Sequence, residues 1–149
     1  MTATVEEKPA SPPSAYVLDE QVGFLLRQVS QRHAAIFAAH MGQDLTPTQW
    51  AALVKLLETG PCSQNLLGRL TAMDAATIKG VIDRLTRRGL TETHPDPEDG
   101  RRVVVALTPT GRRATEAALA AAHRITEETL APLAEQEREV LKELLRKLL

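Results

Sequence analysis

Residues 90–107 break the helical period that the chain keeps on either side of them, and this interruption narrows the folds open to it. Leu90 to His94 is short and tolerant of β-structure, and Arg102-Val103-Val104-Val105-Ala106-Leu107 is rich in β-branched residues. Between them, Pro95-Asp96-Pro97-Glu98-Asp99-Gly100 is dense in turn formers. Two β-tolerant runs joined by such a turn predict a hairpin.

The helices are marked by caps and breakers. Leu18, Val22, Leu25, Val29, Ile36 and Phe37 recur at helical spacing, with a stop at Gly42. Thr46-Pro47-Thr48-Gln49 combines a cap, a proline suited to the first helical position and a capping-box glutamine. The helix it opens carries Trp50, Leu53, Val54, Leu56 and Leu57 and ends at Gly60-Pro61. Ser63 caps a third helix and Asp74 a fourth, whose inward residues are Ile78, Val81, Ile82 and Leu85 and whose stop is Gly89. Thr108-Pro109 opens an Ala-rich fifth helix to about Leu130. Beyond Pro132, Leu133, Val140, Leu141, Leu144, Leu145 and Leu148 mark a sixth. Residues 1–17 hold three prolines and little apolar periodicity, and are expected to form a flexible tail.

Composition supports helix-on-helix packing, because only four of the 149 residues are Phe, Trp or Tyr. No apolar run is long enough for a membrane span, no secretion signal is visible, and a single cysteine, Cys62, cannot make an internal disulfide. These features predict a cytoplasmic protein. The net charge of −1 is unevenly spread: residues 1–61 carry −2, residues 62–112 carry +2 and residues 113–149 carry −1. A basic middle suits phosphate binding, which depends on which face carries the cations rather than on the total.

The predicted class is therefore mainly α with a small β-hairpin (α+β). Two short helices, a tight turn and a hairpin directly after them describe a winged helix-turn-helix, since a major groove admits one helix and leaves flanking phosphates within reach of a loop. The helix from Asp74 to Arg88 is the expected reader. Its outward face offers Ala75, Ala76, Thr77, Lys79, Gly80, Asp83, Arg84 and Arg87. Small residues at its start permit close approach to base edges, and Thr77 and Lys79 can bond a base or a phosphate. An ordinary amphipathic surface helix would show the same face.

The hairpin separates the two readings. Asp99-Gly100-Arg101, five residues, then Leu107-Thr108 resembles the wing signature of the MarR family of transcription regulators. Thr48-Gln49-Trp50, Gly60-Pro61-Cys62-Ser63-Gln64, Met73-Asp74-Ala75-Ala76-Thr77, Asp83-Arg84-Leu85, Arg88-Gly89-Leu90 and Leu107-Thr108-Pro109-x-Gly111 agree with it in order and spacing. The resemblance runs from about Leu18 to the C-terminus. It implies a winged helix-turn-helix over 46–107, with the wing at 90–107, between dimerisation helices at 18–42 and 108–149. It implies a homodimer on palindromic double-stranded DNA, and assigns DNA contacts to Ser63, Gln64, Ala75, Ala76, Thr77, Lys79, Arg84, Arg87, Asp99, Arg101 and Arg102. Arg101 would enter the minor groove from the wing tip, with Asp99 holding its side chain by a charge-assisted bond. Gly100 stands where family members often carry a further arginine, which removes one expected phosphate contact.

The resemblance also implies a repressor released from its operator by a small effector: an aromatic acid, a phenol or a coenzyme A thioester. The first two helices supply candidate linings in His33, Phe37, His40, Met41, Trp50 and Leu53, for which helix-packing core is the alternative. No cofactor or catalytic residue is implied; the sequence carries no phosphate-binding glycine loop, nucleophile elbow or clustered acid–base pair. Other readings are a constitutive, metal-sensing or redox-sensing regulator and a protein-interaction module. Four scattered histidines and one cysteine form no close metal-ligand pair, and Cys62 lies away from any tyrosine. Lys79, Arg84, Arg87 and Arg101 oppose the acidic reading face that a protein-interaction module would favour.

Overall fold

The computed structural model describes residues 15–42 and 44–149. Most of the predicted tail, residues 1–14, lies outside them. A 3₁₀ turn at Leu18–Glu20 leads into α1 (Val22–Met41), followed by α2 (Pro47–Thr59), strand β1 (Cys62–Ser63), α3 (Gln64–Leu70) and α4 (Ala75–Arg87). Strands β2 (Thr91–Pro95) and β3 (Val103–Leu107) form the wing, and α5 (Pro109–Leu130) and α6 (Glu135–Lys147) complete the chain.

The predicted caps are all in place. Thr46 and Gln49 make a reciprocal capping box, and the side chains of Ser63, Asp74 and Thr108 accept the backbone N–H groups of Leu66, Thr77 and Gly111. Each satisfies a helix-end donor that would otherwise be left to water. The α3–α4 turn is closed by Met73 N–H donating to the Gly68 carbonyl at 2.8 Å and Ala72 N–H donating to the Arg69 carbonyl at 3.3 Å. That pattern requires a left-handed residue between the helices, and Ala72 takes it at φ 55°.

The sheet holds one strand more than the predicted hairpin. Its order is β1-β3-β2, all antiparallel, with Cys62 opposite Val105 and Ser63 opposite Val104. Residues 62–63 read in sequence as a turn and a cap because two residues carry no alternation to recognise. The third strand ties the base of the wing to the start of α3.

Two cores result. In the winged part, Ala52, Leu53 and Leu56 of α2 meet Leu67 of α3, the four inward residues of α4, Leu90 and Val105. Between α1 and α5 lies a smaller core of Ile36, Phe37, Met41 and Ile125, with Trp50 packed at its edge. The two are joined at the start of α5, where Thr108 donates its N–H to the Leu90 carbonyl (3.1 Å) and its hydroxyl to the Gly89 carbonyl (2.6 Å). By contrast α6 buries none of its residues. Val22, Leu25, Leu26 and Val29 of α1, and Val140, Leu144, Leu145 and Leu148 at the C-terminal end, stay exposed.

Candidate nucleic-acid interface and adjoining cavity

Helix α4, the expected reader, buries Ile78, Val81, Ile82 and Leu85 and turns its other side to solvent. Ala75, Ala76, Thr77, Lys79, Arg84 and Arg87 are all exposed. At its start, the Asp74 carboxylate accepts the Thr77 N–H at 2.7 Å, and that bond lowers the Asp74 pKa. Lys79 bonds Asp83 one turn along (2.8 Å), and this contact lowers the Asp83 pKa. Arg87 donates through Nε to the Asp83 carbonyl at 3.3 Å. Lys79 is thus partly neutralised on its own helix.

The wing is built from its turn outward. Asp96 N–H donates to the Arg102 carbonyl and Arg102 N–H to the Asp99 carbonyl, both at 2.9 Å. The Asp99 carboxylate accepts the backbone N–H of Arg101 at 3.1 Å, and its other oxygen lies 3.8 Å from Nε of Arg102. The expected ion pair between the Asp99 and Arg101 side chains is therefore replaced. Asp99 folds the tip through the Arg101 backbone and holds the next arginine, because a carboxylate two residues away reaches the main-chain N–H more easily than a guanidinium pointing outward. This leaves the Arg101 side chain exposed at the tip.

Ser63 and Gln64, assigned with the wing residues, do meet them. With Asn65, Arg101, Arg102 and Val103 they line a groove of about 160 Å³ between the start of α3 and the wing. A second hollow of about 330 Å³ runs along Asn65, Arg69, Asp74 and Ala75 between α3 and α4. Asn65 and Arg69 escaped the sequence reading, although both stand on the solvent side of a helix whose apolar face was recognised.

A larger cavity, about 410 Å³, lies where α1, the α1–α2 connection, the end of α4 and α5 converge. Its lining is His40, Met41, Asp44, Leu45, Arg88, Leu90 and four alanines of α5, Ala114, Ala117, Ala118 and Ala121. Two of the six candidate effector residues, His40 and Met41, are in it. Phe37 is buried beside it and Trp50 is half-buried at the edge of the same core. Leu53 has no exposed surface and belongs to the winged core. His33 sits further along α1, with Nδ1 2.8 Å from the Thr129 hydroxyl. The alanine spacing on α5 was the available sequence signal for this wall. Asp44 and Arg88 gave none, being brought together only by the packing of α2 on α4.

Polar contacts frame the cavity. Nη1 of Arg88 donates to the Asp44 carbonyl and, at 3.5 Å, to the side chain of Gln49. Nε2 of His40 is bonded to the Glu128 carboxylate, and Arg32 donates to the carbonyls of Thr129 (2.8 Å) and Glu128 (2.9 Å). These bonds pin the C-terminal turn of α5 to α1. Cys62 is half-buried opposite Val105; burial raises its thiol pKa, and a hydrogen bond with Thr59 opposes the shift only in part. That is the reverse of what a reactive thiolate needs.

The MarR family model matches residues 45–103, the span from the α1–α2 connection to the start of β3. The chain is 41% identical over 145 residues to the HTH-type transcriptional repressor NicR of Pseudomonas putida, covering 95% of this chain and 92% of that protein. Its fold is similar to the crystal structure of a probable transcriptional regulator from Pseudomonas aeruginosa (62% identity, TM-score 0.87), covering 89% of this chain and 100% of that one. It is equally similar in fold to Bordetella bronchiseptica BpsR (42% identity, TM-score 0.87; 90% and 96% covered), whose DNA binding is regulated by 6-hydroxynicotinic acid.

Proposed function

The chain belongs to the MarR family of DNA-binding transcription regulators, and on that premise we propose that it is a homodimeric repressor released from a palindromic operator by a monocyclic aromatic acid. One observation carries the effector part. The 410 Å³ cavity is walled on one side by Arg88, the residue that follows the last turn of the reading helix, and on the others by α1 and α5. A molecule seated there touches the end of α4 and the helices that set its position. It needs only to prefer the arrangement in which the two α4 helices no longer match the groove spacing. A tenfold preference, about 1.4 kcal/mol, lowers operator affinity tenfold at saturation. The volume suits one ring, the alanines give it a flat apolar wall, and Arg88 offers a cation for a carboxylate.

The DNA part rests on α4 and the wing. The start of α4 enters the major groove through Ala75, Ala76 and Thr77, with Arg84 and Arg87 on phosphates, and Arg101 reaches the flanking minor groove. Ser63 and Gln64 meet the backbone beside Arg102. The dimer part is supported by the exposed apolar faces of α1 and α6, which one chain leaves uncovered. Two-fold symmetry predicts half-site centres about 10 base pairs apart.

A gel shift on the DNA upstream of the protein's own gene, repeated with 6-hydroxynicotinate and a panel of other aromatic acids, tests the proposal. A discrete complex that dissolves as one of the acids is added is the expected outcome. A complex indifferent to the whole panel refutes the effector assignment, and absence of a discrete complex refutes the operator assignment.

A further inference from the structure

We propose that Lys79 and Asp83 act as a unit that reads one G·C base pair in each half-site, Lys79 on guanine and Asp83 on cytosine. The inference rests on the entry of α4 into the major groove and specifies the base chemistry that the middle of the helix admits.

Asp83 is out of place on a face that only binds phosphate. Ile78, Val81, Ile82 and Leu85 set the inward direction of α4. At about 100° per residue, the line opposite them runs through Ala76, Gly80, Asp83 and Arg87. The most outward group in the middle of the helix is therefore an exposed carboxylate, preceded on that line by two residues too small to hold it off a base edge. Three cations of the same helix surround it. Lys79 donates to Oδ2 at 2.8 Å, Nε of Arg87 donates to the Asp83 backbone carbonyl at 3.3 Å, and the Arg84 guanidinium lies one turn away over Gly80. Among the described residues Oδ1 has no partner, and Lys79 keeps two of its three N–H groups free. The bond from Lys79 lowers the Asp83 pKa, so the carboxylate is ionised and can only accept.

The pair thus shows a donor beside an acceptor, 2.8 Å apart. A base pair shows the complement on its major-groove edge, an acceptor and a donor bonded to each other at about 2.9 Å. G·C and A·T both do so, and the groups flanking them make the difference. On G·C, Lys79 meets O6 with N7 as a second acceptor, and Asp83 meets the cytosine amino group with only a C–H beyond it. On A·T, Lys79 meets O4 with the thymine methyl beyond, and Asp83 meets the adenine amino group with the N7 lone pair against its oxygens. The first arrangement gains a hydrogen bond; the second loses it and adds repulsion. Asp83 also repels phosphate, so it penalises any docking that leaves it without an amino group to accept from.

Selection of sites from a random duplex pool by the full chain is expected to return at least one G·C pair per half-site. Competition binding should show about tenfold weaker binding when the contacted pair becomes A·T. Both side chains are exposed, so single substitutions should leave the fold intact, which the thermal midpoint checks. Asp83→Ala should bring the four bases to near-equal affinity at that pair while keeping the rest of the selected sequence. It should also tighten binding to unrelated duplex and steepen its salt dependence, because Lys79 becomes free for a phosphate. Asp83→Asn should turn the preference to adenine in place of cytosine, since an amide pairs with N6 and N7 of adenine. A pair that only stabilises the helix would move none of these preferences.

A selected half-site without G·C, G·C preferences all unchanged in Asp83→Ala, or an Asp83→Asn protein that still prefers cytosine would each overturn the inference while leaving the DNA-reading role standing. If the full chain enriches no sequence at all, that role itself falls and takes the base assignment with it.

Discussion

The winged part and the terminal helices solve the burial problem differently. Leu53, Leu67, Ile82, Leu85 and Val105 of the winged part have no exposed surface, whereas α6 buries nothing and Leu144 is half exposed. At roughly 25 cal/mol per Å² of apolar surface removed from water, the first region is stabilised within one chain, while the second has only the small α1–α5 core and leaves α6 and the outer face of α1 to whatever docks against them. The winged part is therefore a finished body, whereas α6 and the outer face of α1 are not; under the proposed function these are the helices that pair two chains. Under the proposed function, an effector acts on the spacing through the joint between the two regions, at Leu90, Thr108 and Gly111.

The harshest test of that division is the joint itself. Gly111 opens α5 against Leu90, and a methyl group there would stand 1.8 Å from the Leu90 carbonyl oxygen. The neighbour is backbone, so relief requires moving α5 off the wing. Gly111→Ala should cost about 4 kcal/mol or more, near the upper end for a single substitution, and should uncouple operator binding from effector binding in whatever fraction folds. Urea unfolding followed by circular dichroism measures the first. A loss under 1 kcal/mol would mean the joint is looser than the packing indicates.

Next in size comes a paired comparison. Leu53→Ala removes a fully buried side chain and should cost about 3 kcal/mol of fold stability. Leu144→Ser, on the exposed face of α6, should leave the fold within about 0.5 kcal/mol at high dilution while weakening self-association measured by sedimentation. Equal destabilisation by the two would erase the contrast between the regions. Within the reading region, Arg101→Ala should lose about 1–3 kcal/mol of specific DNA binding and relax the A·T preference beside the half-sites. Arg102→Ala should lose less, since that side chain is already near Asp99; competition binding assays on matched and mutated sites decide the order.

How much of this was legible in the sequence follows the same division. The caps at Thr46, Ser63, Asp74 and Thr108 were readable because capping is local: a side chain meets an N–H two or three residues away. So was the inward face of α4, where four apolar residues hold one helical stripe. What was not readable required knowing which stripe meets which. Leu53 reads as an apolar residue of α2 and nothing in its neighbours says that it faces α4 and β3 rather than the cavity. Arg88 and Asp44 are 44 positions apart and converge only after α2 has packed. The Asp99–Arg101 contact was placed correctly in the chain and wrongly between side chains, since a carboxylate's choice between a backbone N–H and a guanidinium depends on how the turn closes. Strand β1 lay below the length at which periodicity exists.

The smallest effect falls on the turn between α3 and α4. Ala72 occupies the left-handed position between α3 and α4 at φ 55°, where glycine carries no Cβ penalty. Holding an alanine there costs roughly 1–2 kcal/mol. Replacing it with glycine removes that cost and returns about 0.4–1 kcal/mol through the freer unfolded chain. Ala72→Gly should therefore stabilise the protein by about 0.5–1 kcal/mol, read as a higher urea midpoint with an unchanged slope. Because the two backbone bonds from Ala72 and Met73 already fix the turn, operator affinity should move by less than about twofold. A stabilised protein with markedly weaker operator binding would show instead that the strain at Ala72 helps to aim the reading helix. The winged part would then not be finished before it meets DNA, and the contrast with the terminal helices would narrow.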